Sequence, residues 1–226
     1  MQFIYLLLAL ALLNQPSFEY SSLERNVYDV QSTEVDSSMY YTILPYKQQL
    51  DSQMNEVLCY AASDLRKGKP ESLLGNWTSD ACLCIAQEMT DEFDIDVSFF
   101  NTGGLRSSLS EGDITKRDIY KLMPFENELV ILELDKDEFM SLSSYFIYTE
   151  GQPIAFSDNF SIEDSVFHVL TTDYLANGGD KMSFFNNKEQ HKVGVKMRDA
   201  LIDYCVKNDT ISSTLDLRHL ILFNDN

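Results

Sequence analysis

The chain has 226 residues, 44% of them hydrophobic, enough to bury a core in one large domain or two small ones. Its 36 Asp and Glu against 17 Lys and Arg leave a formal net charge of −19, a field that repels nucleic acid and anionic membrane and argues against both as partners. An anionic small ligand would be held only where local cations overcome that field.

Phe3 to Leu13 is an apolar run without a charge. It is too short for a comfortable membrane span and has the length of a signal-peptide core. Only Met1 and Gln2 precede it, so the usual basic start is missing, and a buried N-terminal helix is the competing reading. Residues 1–15 are therefore expected to be a secretory signal, which implies a secreted or periplasmic protein with no stable membrane span. The polar, Ser-rich residues 16–37 read as a linker, and residues 38–226 as one domain.

Within that domain, Leu50, Met54, Val57, Leu58, Ala61, Ala62 and Leu65 fall on one helical face. Lys67-Gly-Lys-Pro70 ends that helix, and Ser72 can cap the next, which carries Leu73, Trp77, Ala81 and Ile85 and runs to about Met89. Asp94 to Phe100 alternates as a strand and delivers the chain into Asn101-Thr-Gly-Gly-Leu-Arg106. Asp91, Glu92, Asp94 and Asp96 read as a solvated acidic face. Glu111-Gly-Asp113 reads as a turn, and Thr115 with Asp118 as a capping box for a short helix broken at Pro124-Phe125.

Val130 to Leu134 reads as a strand, Lys136 to Tyr148 as a helix with Phe139, Leu142 and Phe146 inward, and Gly151-Gln-Pro153 as a turn. A further strand, Val166 to Thr171, leads towards Asn177-Gly-Gly-Asp180, and His168 within it reads as a core histidine. Val195 to Val206 reads as a helix with Leu201, Ile202 and Cys205 inward, and Leu217 to Phe223 as a final strand. Helices and strands intermix without a strict βαβ repeat. The fold class is therefore α+β, or complex α/β, with mixed sheets flanked by helices.

Cys82 and Cys84 sit two apart in a helical pattern, and the four cysteines match neither a zinc spacing nor a C-x-x-C pair. Small buried hydrophobes are the plain reading, with a Cys59–Cys205 bridge open as an alternative in an oxidising compartment. Asn76-Trp-Thr78, Asn159-Phe-Ser161 and Asn208-Asp-Thr210 match glycosylation acceptors, which matter only in a eukaryotic secretory route. The two glycine pairs let the backbone turn sharply and approach a ligand closely. Each pair is flanked by an Asn, and the loops close on Arg106 and Asp180. As two hairpin tips that converge, they would suit a small polar ligand at strand ends.

Five motifs stand in one order: Glu71-Ser-Leu-Leu-Gly-Asn76 with Asp80-Ala81, Asn101-Thr-Gly-Gly-Leu-Arg106, Gly112-Asp-Ile-Thr115 with Asp118, Pro124-Phe-Glu-Asn127, and Tyr174-Leu-Ala-Asn-Gly-Gly-Asp180. Together they resemble the C-terminal, substrate-binding domain of the 5′-nucleotidase and UDP-sugar hydrolase family, over roughly Ser38 to Val206. The resemblance implies that family's layered fold and a nucleoside held with its base between two rings, here Phe125 and Tyr174. It implies Asp180 as acceptor for ribose hydroxyls, Asn101 and Arg106 on the base or ribose and the phosphate side, and Asn177, Gly178 and Gly179 in the binding loop. Tyr174 stands where the family usually has Phe. Lys67-Gly-Lys69 stands where an Arg is often found, Ala155-Phe-Ser-Asp158 replaces a small turn, and Lys181-Met182 replaces a Gly and an aromatic.

In that family a metallophosphoesterase domain does the hydrolysis. This sequence has no Asp-x-His, Gly-Asn-His or Gly-His-x-His, its three histidines lie far apart, and G-x-S-x-G and P-loop patterns are missing. No catalytic residue, metal or cofactor is expected in this chain. Divalent metals are expected only in a separately encoded metallophosphoesterase subunit. The function implied is the nucleotide-recognition half of a split 5′-nucleotidase, and the alternative is a non-catalytic nucleoside-binding or regulatory protein.

Overall fold

The computed structural model describes residues 37–222. The expected signal run, the linker as far as Asp36, and Phe223 lie outside the described residues. The chain divides into two units at Ile43 and Leu44. Of the first, the described stretch Ser37–Ile43 is exposed and helical, the start of α1 (Ser37–Met54), which contains Pro45 and has no buried residue.

In the second unit eight strands form two mixed sheets. The smaller has order β3-β1-β8, from Gly112–Thr115, Val57–Ala61 and Thr210–Ile211. The larger has order β5-β2-β6-β4-β7, from Ile154–Phe156, Val97–Phe99, Val166–Thr172, Glu128–Asp135 and His191–Lys196. The helices are α2 (Leu73–Met89), α3 (Lys116–Leu122), α4 (Lys136–Tyr148), α5 (Asp173–Ala176) and α6 (Met197–Lys207). The α+β expectation with mixed sheets and flanking helices holds.

Strand β4 explains the layering. Leu129 and Ile131 pack into one core with residues of α2, α3 and α6, whereas Val130, Leu132 and Leu134 pack into a second core with Phe139, Leu142 and Phe146 of α4. A strand covered on both faces needs a nearly continuous apolar run rather than alternation, and Leu129 to Leu132 is one. The second core closes on stacked rings, with Phe139 and Phe167 4.1 Å apart. Local signals fix the helix starts. Ser72 Oγ accepts from Gly75 N at the start of α2. Asp118 Oδ2 accepts from Thr115 N at 3.1 Å at the start of α3, and Asp135 and Glu138 exchange side-chain and backbone hydrogen bonds at the start of α4.

Three segments depart from the sequence reading. The helical face drawn through Val57 to Leu65 breaks, because α1 stops at Met54 and Val57–Ala61 is strand β1. Cys59 and Ala61 alternate inward, and β1 pairs antiparallel with β3 and parallel with β8. Partners distant in sequence here override a local helical pattern. The turn at Glu111–Asp113 is shorter than expected, since Gly112 and Asp113 already belong to β3. Leu217 to Phe223 is no strand over its described residues: Leu217 has φ 63°, and Arg218–Ile221 is a 3-10 turn.

Side-chain ties explain that turn. Arg218 Nη1 donates to Asp80 at 2.6 Å and Nη2 to Asp216 at 2.7 Å. His219 Nδ1 lies 2.7 Å from Glu71 Oε2, and Asp216 N donates to Glu71 Oε1 at 2.9 Å. Asn76 Nδ2 bonds both Glu71 and Thr214 O. Glu71, Asn76 and Asp80 of the first motif thus fasten the C-terminal segment to the start of α2. Asn76 and Thr78 are buried, which removes Asn76 as a glycosylation acceptor in the folded chain. All four cysteines are free, and Cys84 is exposed, unlike the buried Cys59, Cys82 and Cys205. His168 is only half-buried, with Nδ1 3.1 Å from Asp94 O and its ring against Phe93. Asp96, expected on a solvated face, accepts from His168 N at 2.7 Å, and burial pushes its carboxyl above the usual range.

Candidate functional site

Strands β2 and β6 are parallel neighbours, with Val97 opposite Val169 and Ser98 opposite Leu170. Their following segments therefore leave the sheet at the same end, and they are not hairpin tips. Strand β4 runs antiparallel to β6, with Leu129 opposite Thr172. The segment entering β4, Phe125 to Asn127, starts at that end too. Three separate stretches thus meet beyond one end of the inner strands of the larger sheet. They enclose a cavity of about 310 Å³ lined by Asn101, Gly103, Gly104, Arg106, Phe125, Asn127, Tyr174 and Asp180.

The first loop is short and tied down. Thr102 N and Oγ1 both donate to Gln152 Oε1, at 2.8 and 3.0 Å, and Arg106 N donates to Leu122 O at 2.8 Å. A Cβ on Gly104 would lie 2.8 Å from Asn101 Oδ1, so the glycine allows the amide to turn inward. Asn101 Nδ2 then donates to Asp180 Oδ2 at 2.6 Å and links the first loop to the second. The exposed Arg106 donates to Gly103 O at 3.2 Å. Lys67 Nζ donates to Leu105 O at 2.8 Å.

Phe125 is 40% exposed and Tyr174 47% exposed, an unusual placement for two large rings that line one cavity. The Phe125 segment is anchored from behind. Buried Arg198, at the start of α6, donates to Phe125 O at 3.4 Å and to Glu126 Oε1 at 2.5 Å, with its guanidinium 4.2 Å above the Tyr120 ring. Lys196 and Arg198 hydrogen-bond Glu126 and hold its carboxyl below the usual range. Met197 N donates to Asn127 O at 2.9 Å.

The second loop is bent hard. Gly178 has φ 83°, Asp180 φ 51° and Lys181 φ 69°, and left-handed backbone at a non-glycine residue needs support from its surroundings. Tyr145 Oη of α4 supplies some by donating to Asp180 O at 3.0 Å. Burial first, then the charge of Asp180, pushes the Tyr145 phenol up. Tyr174 Oη donates to Asp180 Oδ1 at 3.0 Å. A Cβ on Gly179 would lie 2.5 Å from the Tyr174 ring, and one on Gly178 2.5 Å from Asn186 Oδ1. These glycines let the loop close on its neighbours.

Of the sequence-derived site residues, Asn101, Arg106, Phe125, Tyr174 and Asp180 line the cavity. Asn177, Gly178 and Gly179 do not: Asn177 donates to Asp173 O at 2.7 Å and accepts from Gln190 at 3.1 Å. The structure adds Asn127, which the Pro124–Asn127 motif already contained. It also adds Tyr145 and Arg198 behind the wall, where an ordinary amphipathic helix and a charge in the first turn of a helix gave no signal. Among the described residues no group of three or more His, Cys, Asp or Glu is placed to hold a metal ion, and no helix is long and apolar enough to cross a membrane.

Comparison with known proteins agrees with this picture. Residues 52–138 match the family described as 5′-nucleotidase, C-terminal domain. Protein UshA of Yersinia enterocolitica is 29% identical over 50% of this chain and 20% of its own length. An apyrase of Tabanus yao is 24% identical over 52% of this chain and 28% of its own. The chain thus spans less than a third of these curated relatives. In fold it is similar to a 5′-nucleotidase precursor from Thermus thermophilus, with TM-score 0.66, 19% identity, and coverage of 79% of this chain and 42% of that one. A putative 5′-nucleotidase from Staphylococcus aureus gives TM-score 0.59 at 14% identity, covering 81% and 43%. In sequence and in fold the chain resembles the 5′-nucleotidase C-terminal domain.

Proposed function

We propose that this 5′-nucleotidase C-terminal-type domain binds a nucleoside or nucleoside monophosphate and presents its phosphate to a separate metallophosphoesterase that carries the metal centre and the attacking water. The observation that carries the reading is the convergence of Phe125, Tyr174, Asn101, Asp180 and Arg106 on one cavity. Two exposed rings suit the two faces of a planar base, and a base–ring stack contributes about 1–3 kcal/mol. Asp180 and Asn101 face the sugar with acceptors and donors. Arg106, the cation among the lining residues, offsets for a phosphate the repulsion of a −19 chain. Holding the substrate in register with a reacting centre is itself a contribution to rate. Nucleotide catabolism outside the cytoplasm is the setting this reading favours.

Titration calorimetry with adenosine, uridine and their monophosphates tests binding, and Phe125→Ala should weaken every ligand that binds. AMP hydrolysis is then assayed with divalent metal alone and with a metallophosphoesterase added. Hydrolysis only in the second case is expected. Metal-dependent turnover by this chain alone would refute the partner, and absence of heat with every ligand would refute the binding role.

A further inference from the structure

Three Asn-x-Ser/Thr stretches stand in the sequence, and the fold treats them differently. At Asn76-Trp-Thr78 the asparagine is 2% exposed, and its Nδ2 donates both to Glu71 Oε1 at 2.6 Å and to Thr214 O at 2.8 Å. A sugar on that nitrogen would displace one of these bonds and have to enter the core. At Asn208-Asp-Thr210 the half-buried amide folds back onto the end of α6, where Nδ2 donates to Tyr204 O at 2.8 Å. The residues that follow it are already paired, since Tyr60 N donates to Asp209 O at 2.9 Å and Thr210 lies opposite Tyr60.

Asn159-Phe-Ser161 is different. Phe160 N donates to Ser157 O at 3.1 Å and closes a turn with Asp158 and Asn159 at its two corners, both exposed. Among the described residues the Asn159 amide group makes no side-chain hydrogen bond. Phe160 faces the other way. Its ring is partly buried against the second core, 4.6 Å from Phe156 and 5.9 Å from Phe139. The middle residue anchors the turn while the asparagine meets water. Ser161 Oγ accepts from Glu163 N at 3.3 Å, which leaves its own hydrogen free to donate.

We propose that Asn159 is an N-glycosylation site and that the fold excludes the other two. The co-substrate is a lipid-linked oligosaccharide pyrophosphate in a eukaryotic secretory route. Asn159 Nδ2 attacks the anomeric carbon of the first sugar. A C–N bond forms, the C–O bond to the pyrophosphate breaks, the lipid pyrophosphate leaves with the bonding pair, and the amide gives up one of its two protons. Transfer takes place on the entering chain, so the fold selects afterwards: a chain with sugar on Asn76 cannot seat that side chain against Glu71 and Thr214. Strand β5 runs antiparallel to β2, with Ile154 opposite Phe99 and Phe156 opposite Val97. The start of β5 lies beside the first loop, where Thr102 N donates to Gln152 Oε1, and Asn159 follows its other end. A glycan there stands at the far end of the sheet from the cavity. The inference rests on the extracytoplasmic setting proposed above and not on what the cavity binds.

The test is expression of the full chain behind an added secretory leader in cultured eukaryotic cells, which makes the result independent of how the chain's own N-terminus is read. Folded, protease-resistant protein is recovered from the medium and the cell lumen together. Peptide N-glycosidase converts each asparagine that carried a glycan to aspartate, and mass spectrometry of the peptides reads which ones changed. Conversion at Asn159, with Asn76 and Asn208 unchanged, is expected. Ser161→Ala, which keeps the asparagine and removes the hydroxyl, should leave Asn159 unconverted. An unconverted Asn159 in the wild type overturns the site, and conversion at Asn76 or Asn208 overturns the selection by the fold. Conversion that persists in Ser161→Ala is deamidation without a glycan, and it also overturns the proposal.

Discussion

Gly179→Ala should disable the candidate site while sparing the fold. The added Cβ would sit 2.5 Å from Tyr174 Cε1, 2.6 Å from Cζ and 2.6 Å from the Tyr174 carbonyl oxygen. The ring could swing away, but the carbonyl is backbone, so the loop itself must shift. Two consequences follow. The Tyr174–Asp180 contact at 3.0 Å breaks, and the ring leaves the cavity wall. Loss of one base–ring stack contributes about 1–3 kcal/mol, so nucleoside affinity should fall roughly 5- to 150-fold. Global stability should fall less than in a core variant, by about 1–2 kcal/mol, the low end of overpacking costs, because the loop borders an open cavity rather than either core. Calorimetry with adenosine gives the first quantity and urea denaturation the second. Wild-type affinity in a folded Gly179→Ala protein would refute the placement of Tyr174 against Gly179, and with it the account of this wall.

Other perturbations separate the scaffold from the site. Gly151→Ala should lower the melting temperature by about 5–10 °C, since Gly151 has φ 99° and an added Cβ would lie 2.0 Å from Pro70 O, a backbone atom that cannot yield cheaply; an unchanged melting point would contradict that packing. Arg198→Ala should cost about 2–3 kcal/mol, because a buried guanidinium leaves both the Tyr120 face and the Glu126 carboxylate, and it should also weaken nucleoside binding by releasing the Phe125 segment. Stability lost with affinity intact would show that the Phe125 segment needs no anchor. Asp216 gives a pH signature. Its hydrogen bond from Arg218 holds the carboxyl below the usual range, and a pKa depressed on folding adds stability above the unfolded value that is lost as pH falls through the folded one. Asp216→Asn should therefore melt lower than wild type at pH 7, by the modest amount a partly exposed pair supplies, and the two curves should converge below about pH 4.

Much of the fold was legible because the signals were local. The apolar run of β4, the Thr115–Asp118 cap before α3 and the inward Phe139, Leu142 and Phe146 of α4 each declare themselves within a few residues. The misreadings occurred where distant partners decide. Val57 to Ala61 satisfies a helical face and an alternating strand equally well, and only pairing with Gly112–Thr115 and Thr210–Ile211 selects the strand. Leu217 to Phe223 reads as a strand until Asp80 and Glu71 draw Arg218 and His219 into a turn. The site was legible as motifs but not as geometry. Asn101, Phe125, Tyr174 and Asp180 could be named, whereas their meeting depends on β2, β4 and β6 being neighbours in one sheet. Asn177, Gly178 and Gly179 shape the loop rather than line the cavity, a distinction that needs the positions of Tyr174 and Asn186.

The fastening of the C-terminal segment has a consequence for how the domain is made. Glu71 finds a partner in His219, 148 residues later, and β1 finds one of its two neighbours in Thr210–Ile211. During synthesis both emerge from the ribosome long before their partners exist. Closing so long a stretch of chain is slow, because its entropy is lost before the contacts reward it. The early strand should thus stay unzipped on one edge until Thr210–Ile211 has been made, and nascent chains halted before Thr210 should remain open to protease around Val57–Ala61 while chains that extend past His219 resist.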